Sequence, residues 1–164
     1  LVPSVKQEIL IVADLGREEE VITRLSRVGY DNALGYLSGG FEAWIEAKKE
    51  VDQITSISAE ELSTIAAKES ILLYDVRKVS EYNSEHVIDA VNAPLDFIND
   101  SMTKINKDKT CYIHCASGYR SMVFISILQA RGYRNLIDVA GGFNALKASG
   151  LFKTSDYVCP STLL

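Results

Sequence analysis

Short apolar stretches alternate with amphipathic ones between residues 54 and 149. The clearest is Ile71–Val76, whose apolar character is typical of a parallel strand covered on both faces. Shorter candidate strands are Ile54–Ile57, Ala90–Pro94, Cys111–Cys115 and Asn135–Val139. Strands of this kind, separated by helices, predict an α/β fold with a parallel sheet.

Helix signals lie between these strands. Ser58 begins a capping-box sequence that Glu61 completes three residues later. The segment Arg120–Ala130 is apolar around most of its surface and ends before Gly132. A Gly-Gly turn leads into a last helix over Phe143–Ser149. We therefore expect helices on both faces of the sheet.

A shorter series of the same signals lies upstream. Residues 28–47 (VGYDNALGYLSGGFEAWIEA) share a Gly-Tyr pair and a Gly-Gly-Phe triplet with residues 131–150 (RGYRNLIDVAGGFNALKASG). In each copy an arginine, Arg17 or Arg120, lies 12 residues before the Gly-Tyr pair and follows an apolar run. Four features in the same order indicate an internal repeat.

The upstream copy corresponds only to the C-terminal half of the downstream one, because few residues precede its apolar run Ile9–Ala13. We predict a boundary in the charged stretch Glu46–Gln53. The predicted segments are a degenerate half domain over residues 1–48, a complete domain over residues 52–150 and a tail over residues 151–164.

A half domain cannot cover both faces of its sheet, and its strand leaves an unpaired edge. We expect a missing upstream segment, the complete domain or a second copy of the chain to cover it. The prediction is a homodimer, or a tight contact with residues 52–150, that buries Leu10, Val12 and Trp44. A strict monomer with flexible residues 1–48 would contradict it.

Composition narrows the class of protein. The chain has 164 residues, of which 47% are hydrophobic and 24% charged, as in ordinary globular proteins. No apolar run approaches the roughly 20 residues of a membrane helix. A net charge of -5 argues against a nucleic-acid partner. Because the sequence begins at Leu1 rather than Met, we expect a fragment or a processed product.

Cysteine and histidine usage bears on compartment and metal. Three cysteines form an odd, sparse set, which favours a reduced cytoplasmic protein over a disulfide framework. The sequence has neither an HExxH motif nor a CxxC pair. We therefore predict no metal and no cofactor.

The segment most suited to chemistry is Cys115–Arg120, which joins a buried strand to a helix. Ligands of α/β sheets bind outside the carboxyl ends of the strands. A helix N-terminus offers free N–H groups and partial positive charge, and Arg120 adds a cation. Gly118 lets the loop curl. These features favour a thiolate, the nucleophilic form of Cys115. The alternative interpretation is that Cys115 is an ordinary buried cysteine of the core.

Ordered motifs of the downstream copy resemble the rhodanese (sulfurtransferase) domain over about residues 52–150. They are Asp75-Val76-Arg77 with Glu81-Tyr82, His86–Pro94, His114–Ser121, Gly132-Tyr133 and Gly141-Gly142-Phe143. The resemblance implies a rhodanese-like parallel sheet flanked by helices, with the C-terminal half of a second rhodanese-like copy upstream.

The loop CASGYRS is most similar to that of rhodanese domains fused behind a metallo-β-lactamase-fold hydrolase. Such fusions often carry two rhodanese copies, of which the first lacks the cysteine. In the upstream copy the position equivalent to Cys115 is Val12, Ala13 or Asp14. The hydrolase half would lie before Leu1.

The resemblance implies a persulfide mechanism. The Cys115 thiolate attacks the outer sulfur of a small sulfur-containing anion such as thiosulfate, or of a low-molecular-weight persulfide, and a thiol acceptor then removes the sulfur. The transferred sulfur is held by Ala116, Ser117, Gly118, Tyr119, Arg120 and Ser121. Four residues separate Cys115 from Arg120, whereas phosphatases of this fold have five, so the loop suits a sulfur atom better than a phosphate.

Two residues are expected to support the loop. Asp75 ends a strand and either accepts N–H bonds from the loop or only caps the next turn. Arg77 and Glu81 are four residues apart, and we predict an ion pair between them rather than contact with substrate.

Two histidines lie near the motifs. His86 matches a family position, but Glu85 and Asp89 replace the usual glycines, which puts the turn geometry in question. His114 points to the opposite face of the strand from the nucleophile, and we expect it to pack rather than to act as a base.

Among the other candidates, Cys111 is expected in the core. Cys159 either relays the persulfide or is a plain exposed thiol, and we favour the second. Ser117 and Tyr119 either contact the donor or only form the rim.

Three functions are compatible with these residues. An enzyme that turns over sulfur is the leading hypothesis. A regulatory or sulfur-carrier module of a persulfide-metabolising hydrolase is the second, and a phosphatase or arsenate reductase is the third, which the short loop disfavours.

Overall fold

The computed structural model describes residue 2 and residues 4–159 and divides them into two compact units on either side of the Gln53–Ile54 bond. The predicted tail 151–164 is therefore described as far as Cys159, because residues 160–164 lie outside the described residues. Within the described part of the chain, no helix is long and apolar enough to cross a membrane.

Strands and helices alternate along both units. The strands are β1 (Ile9–Ile11), β2 (Ala33–Tyr36), β3 (Ser56–Ile57), β4 (Leu72–Asp75), β5 (Val91–Asn92), β6 (Cys111–His114) and β7 (Leu136–Val139). The α-helices are α1 (Glu18–Ser26), α2 (Gly40–Glu46), α3 (Ala59–Ala66), α4 (Val79–Ser84), α5 (Ile98–Ser101), α6 (Tyr119–Ala130) and α7 (Gly142–Ser149). Two 3-10 helices, Leu95–Phe97 and Met102–Lys104, flank α5.

The first unit is a two-stranded parallel sheet with two helices. β1 pairs with β2, and the register shifts between Ile9 and Leu10. Among the described apolar side chains of this unit only Ile11 is buried. Leu10 is 78% exposed, Val12 58% and Trp44 41%, so the first unit by itself does not bury the side chains predicted to be covered.

The second unit is an α/β domain built on a five-stranded sheet of order β3-β7-β6-β4-β5. Every pairing is parallel. The predicted fold class, a parallel sheet flanked by helices, is confirmed for this unit. β6 is the central strand, so the loop that follows it opens at the middle of the carboxyl edge.

Each face of this sheet carries its own apolar core. On one face α6 buries Phe124, Ile125 and Leu128 against β6. On the other, α3 contributes Leu62 and α7 contributes Leu146. The capping box that begins α3 is present: the Ser58 hydroxyl accepts the Glu61 N–H at 3.2 Å, and the Ser58 N–H donates to the Glu61 carboxylate at 2.8 Å.

Two helices begin one residue earlier than the pattern predicts. α6 follows Gly118, whose φ is 112°, and α7 follows Gly141, whose φ is 72°. Because a left-handed residue ends each loop abruptly, the next residue is already helical. The strand predicted over Ala90–Pro94 is shorter in the structure, because only the two residues of β5 pair with β4.

Candidate active site

Cys115 follows the last residue of the central strand, and only 1% of it is exposed. The N–H of Gly118 donates to its Sγ at 3.1 Å. The hydroxyl of Ser121 lies 3.6 Å from the same sulfur and 2.9 Å from the Gly118 carbonyl, so its single proton serves one of them at a time. The loop and the first turn of α6 thus direct donors at the sulfur, as the sequence predicts.

These donors lower the pKa of the Cys115 thiol. Burial, the largest influence, raises the pKa by disfavouring the charged form. Hydrogen bonds from the N–H and hydroxyl of Ser121 and from the N–H groups of Ser117 and Gly118 act against burial and together outweigh it. The pKa therefore lies below that of an ordinary cysteine, and the thiolate is favoured.

The N-terminus of α7 holds the loop from behind. The Phe143 N–H donates to the Cys115 carbonyl at 2.7 Å, and the Asn144 N–H donates to the Ala116 carbonyl at 3.1 Å. A Cβ on Gly142 would clash with the Cys115 carbonyl and with the next peptide. From the sequence, Gly141-Gly142 is expected only to form a turn. The recurrence of the Gly-Gly-Phe triplet at residues 39–41 is the sequence signal that points to this close approach.

The guanidinium of Arg120 is held by Glu81. Its Nη1 and Nη2 donate to the two carboxylate oxygens at 2.5 and 2.9 Å. The predicted ion pair between Arg77 and Glu81 is therefore wrong. The reason is that α4 begins only at Val79, so Arg77 and Glu81 do not share a helical face.

Arg77 pairs instead with Asp75, and both are buried. Its Nη2 donates to the Asp75 carboxylate at 2.6 Å and to the Glu85 carbonyl at 2.8 Å. The same carboxylate accepts the Arg77 N–H at 2.9 Å, so of the two roles foreseen for Asp75 the turn cap is the one present. The guanidinium also lies 4.1 Å from the centre of the Phe143 ring, which joins this pair to the helix that holds the loop.

His114 packs on the face of β6 away from Cys115 and is fully buried. Its Nδ1 lies 3.2 Å from the Cys115 carbonyl. Burial lowers the pKa of His114, and the nearby Asp75 only partly opposes that effect. The ring is therefore neutral at pH 7. His114 is a packed strand residue and not a base exposed to substrate.

The turn around His86 forms with Glu85 and Asp89 at the positions where the resemblance implies glycines. Asp89 adopts the left-handed conformation, with φ of 69°, and aspartate tolerates it. Glu85 is extended, and its carboxylate binds Lys147 at 2.6 Å. His86 stacks on Tyr82 with a centroid distance of 3.9 Å. The tail runs alongside, and the Ser155 N–H donates to the His86 carbonyl at 2.8 Å.

The other candidates are divided between core and surface. Cys111 is fully buried, as predicted, and burial raises its pKa. Tyr119 is 79% exposed at the rim of the loop. Ser117 and Cys159 are exposed. Among the described residues, no group of three or more His, Cys, Asp or Glu side chains is arranged to hold a metal ion.

Comparisons with known proteins agree on one family. A family model described as the rhodanese-like domain matches residues 58–149. A sulfurtransferase of Allochromatium vinosum is 33% identical over 99 residues, which make up 60% of this chain and 92% of that protein. A curated but uncharacterized relative from Synechocystis is 31% identical over 96 residues, and the match spans only 54% of its length and 58% of this chain.

Solved structures share the fold. A rhodanese-like domain protein from Staphylococcus aureus is 31% identical, with a TM-score of 0.54, over 57% of this chain and 91% of that one. A thiosulfate sulfurtransferase from Pseudomonas aeruginosa has a TM-score of 0.51 at 18% identity. That match covers 96% of this chain and 34% of the Pseudomonas protein.

The lowered pKa can be measured by alkylation. We expect the rate of Cys115 alkylation by iodoacetamide to rise with pH to a midpoint below that of an ordinary thiol. Ser121→Ala removes a donor to the sulfur, so its midpoint moves up. Ser117→Ala is the matched control: it keeps the backbone N–H, and its midpoint stays in place. Equal midpoints for the wild type and Ser121→Ala would contradict the hydrogen-bond explanation.

The buried ion pair can be tested by stability. Arg77→Met leaves the Asp75 carboxylate buried without its cation, and we expect a loss of about 3–5 kcal/mol in the free energy of unfolding, measured with urea. Adding Asp75→Asn to that variant removes the unpaired buried charge and should restore part of the lost free energy of unfolding. Lys147→Met breaks an exposed pair of the same length and should cost at most about 1 kcal/mol. Equal losses for the two single variants would show that burial is not decisive.

Proposed function

Since the chain belongs to the rhodanese-like domain family, we propose that it is a sulfurtransferase that carries sulfur as a persulfide on Cys115. The observation that carries the proposal is the pair of donors, the Gly118 N–H and the Ser121 hydroxyl, directed at a buried sulfur whose pKa is lowered. The donor is thiosulfate or a low-molecular-weight persulfide, and the acceptor is a thiol.

The first half-reaction loads the cysteine. The Cys115 thiolate attacks the outer sulfur of thiosulfate, a sulfur–sulfur bond forms, and the bond to the inner sulfur breaks with its electron pair leaving on sulfite. With a persulfide donor the leaving group is a thiolate. Either way the charge moves to the terminal sulfur of Cys115–S–S⁻.

The loop stabilises that charge. N–H groups from Ala116 to Ser121 surround the position of the transferred sulfur, and they act as an oxyanion hole does for oxygen. The Arg120 guanidinium is bound to Glu81, so its role is to hold the loop at α4. The pair of Asp75 and Arg77 supports the loop indirectly, because the Arg77 guanidinium packs on the ring of Phe143.

The second half-reaction unloads the cysteine. A thiolate of the acceptor attacks the terminal sulfur, and the Cys115 thiolate leaves. A group with a lowered pKa is a good leaving group, so the same donors that promote loading also promote release. The phosphatase hypothesis is set aside, because the loop leaves only four residues between Cys115 and Arg120.

The first unit supports the proposal that residues 1–48 are a degenerate half copy. A Cβ on Gly40 would lie 2.6 Å from the Ala13 carbonyl, just as a Cβ on Gly142 would meet the Cys115 carbonyl. This geometry favours Ala13 over Val12 and Asp14 as the position equivalent to Cys115. The fold match to the Pseudomonas protein extends over 96% of this chain and therefore includes the first unit.

The compartment and wider context are part of the same proposal. Cys111 and Cys115 are free thiols, which fits a reducing compartment such as the cytoplasm. The CASGYRS loop favours a chain that works beside a metallo-hydrolase handling persulfides.

Intact mass tests the central claim. After treatment with thiosulfate or with glutathione persulfide, the wild type should gain the mass of one sulfur atom, and cyanide should remove it. Cys115→Ser should gain nothing, whereas Cys159→Ser, the matched control, should gain one sulfur like the wild type. No gain at a Cys115 that still alkylates would favour the regulatory module. A gain in Cys115→Ser would overturn the assignment of the nucleophile.

The predicted dimer can be tested with the single tryptophan. If a second copy covers Trp44, light scattering should give the mass of two chains. Dilution should then dissociate the dimer, expose Trp44 to solvent and shift its emission to longer wavelength. Leu10→Lys places a charge on that face and should produce the monomer at all concentrations. A monomeric wild type whose emission does not change on dilution would contradict the dimer.

A further inference from the structure

The two arginines at the carboxyl edge of the second sheet are paired with carboxylates of the protein itself. Arg120, the only cation of the loop, is bound through both terminal nitrogens to Glu81. Lys78 lies 4.0 Å from Asp96. Lys104 donates to the Asn92 carbonyl at the end of β5, 2.9 Å away. The buried Arg77 is paired as well, so the described side chains around the sulfur leave neutral backbone N–H groups as its main donors.

A dianion gains little from such a site. Thiosulfate carries two negative charges and sulfite leaves with two, so the persulfide keeps the single charge that the Cys115 thiolate brought, and the site must accept a dianion beside that thiolate. Arg120, the cation of the loop, is already paired with Glu81 and so is not free to bind the second charge. The chain as a whole also has a net charge of -5. A donor with a single charge on its reacting sulfur avoids this repulsion.

The rim of the site favours an organic group. Val79 begins α4 after β4, Phe97 follows β5, and Tyr119 begins α6 after β6, so all three lie at the carboxyl edge. They are 47%, 62% and 79% exposed. These side chains offer apolar surface at the same edge as Cys115, which an organic group of a donor can contact.

We propose that the pairing of Glu81 with Arg120 makes Cys115 select organic, singly charged sulfane donors of the form R–S–S⁻ or R–SO₂–S⁻ over inorganic thiosulfate. This inference rests on the proposed function and deepens it. Glu81 is a specificity-determining residue in it, because it cancels the charge that would otherwise attract a dianion.

The chemistry is the same for each donor. The Cys115 thiolate forms a bond to the terminal sulfur, and the bond between that sulfur and the rest of the donor breaks. The electron pair leaves on a thiolate from R–S–S⁻, on a sulfinate from R–SO₂–S⁻ and on sulfite from thiosulfate. No other oxidant or reductant is needed.

Three donors separate charge from shape. Thiosulfate is a dianion, methanethiosulfonate is a small monoanion, and benzenethiosulfonate is a monoanion with a ring. For each, kcat/KM is measured with cyanide as acceptor and divided by the rate constant of the same donor with free cysteine, which removes intrinsic reactivity. We expect corrected values that rise from thiosulfate to methanethiosulfonate by about tenfold, and further to benzenethiosulfonate by about threefold.

The variant Glu81→Gln tests the cause. It frees the Arg120 charge, and glutamine can still cap Lys78 as Glu81 does. The ratio of kcat/KM for thiosulfate to that for methanethiosulfonate should rise by about tenfold. Glu69→Gln, which makes the same charge change on the turn before β4 at the opposite edge, should leave the ratio unchanged. Tyr119→Ala should reduce the advantage of benzenethiosulfonate over methanethiosulfonate.

Ionic strength gives a second measurement on the wild type, in case Glu81→Gln does not fold. Salt should raise kcat/KM for thiosulfate, because it screens like charges. A fall with salt, or a corrected value for thiosulfate equal to that for methanethiosulfonate, would overturn this inference and leave the sulfurtransferase intact. If no donor places sulfur on Cys115, the proposed function itself fails.

Discussion

The site depends on two backbone hydrogen bonds from the start of α7 to the loop after β6. The Cys115 and Ala116 carbonyls accept the N–H groups of Phe143 and Asn144 at 2.7 and 3.1 Å. In a trans peptide the carbonyl and the following N–H point in opposite directions. Turning both carbonyls toward α7 therefore turns the N–H groups of Ala116 and Ser117 away from α7, and the Ser117 N–H is one of the donors that lower the pKa of Cys115. Without these two hydrogen bonds nothing would hold the loop in the conformation that directs its N–H donors at the thiolate.

Two ion pairs support the contact between α7 and the loop, and because each pair is neutral overall they add no net charge to the site. Asp75 and Arg77 satisfy each other beneath the loop, and the guanidinium supports the Phe143 ring. Glu81 fixes Arg120 from the side. Both pairs use arginine, whose planar donors match a carboxylate better than the ammonium of lysine. The electrostatic stabilisation of the sulfur thus falls to backbone dipoles, which are neutral and permanently oriented.

Local pattern was enough to predict the sheet, the helices and the position of Cys115, because buried parallel strands and helix starts have strong local signals. Partner choice was not predictable in the same way. Arg77 and Glu81 have the spacing of a helical pair, yet α4 begins between them. Arg77 pairs with Asp75 two residues before it, whereas Glu81 pairs with the distant Arg120. The role of Gly142 was also hidden, since a close approach between two loops is a long-range property that a single glycine does not specify.

The loops after β1 and β6 share a backbone arrangement. Gly16, three residues after Ala13, has φ of 82°, and Gly118, three residues after Cys115, has φ of 112°. In each unit the second glycine of a Gly-Gly pair begins a helix, and a Cβ on it would meet the carbonyl of Ala13 or Cys115. The arrangement thus occurs around an alanine as well as around a cysteine. The fold therefore does not depend on the cysteine, whereas the donors that lower the pKa of Cys115 depend on the fold.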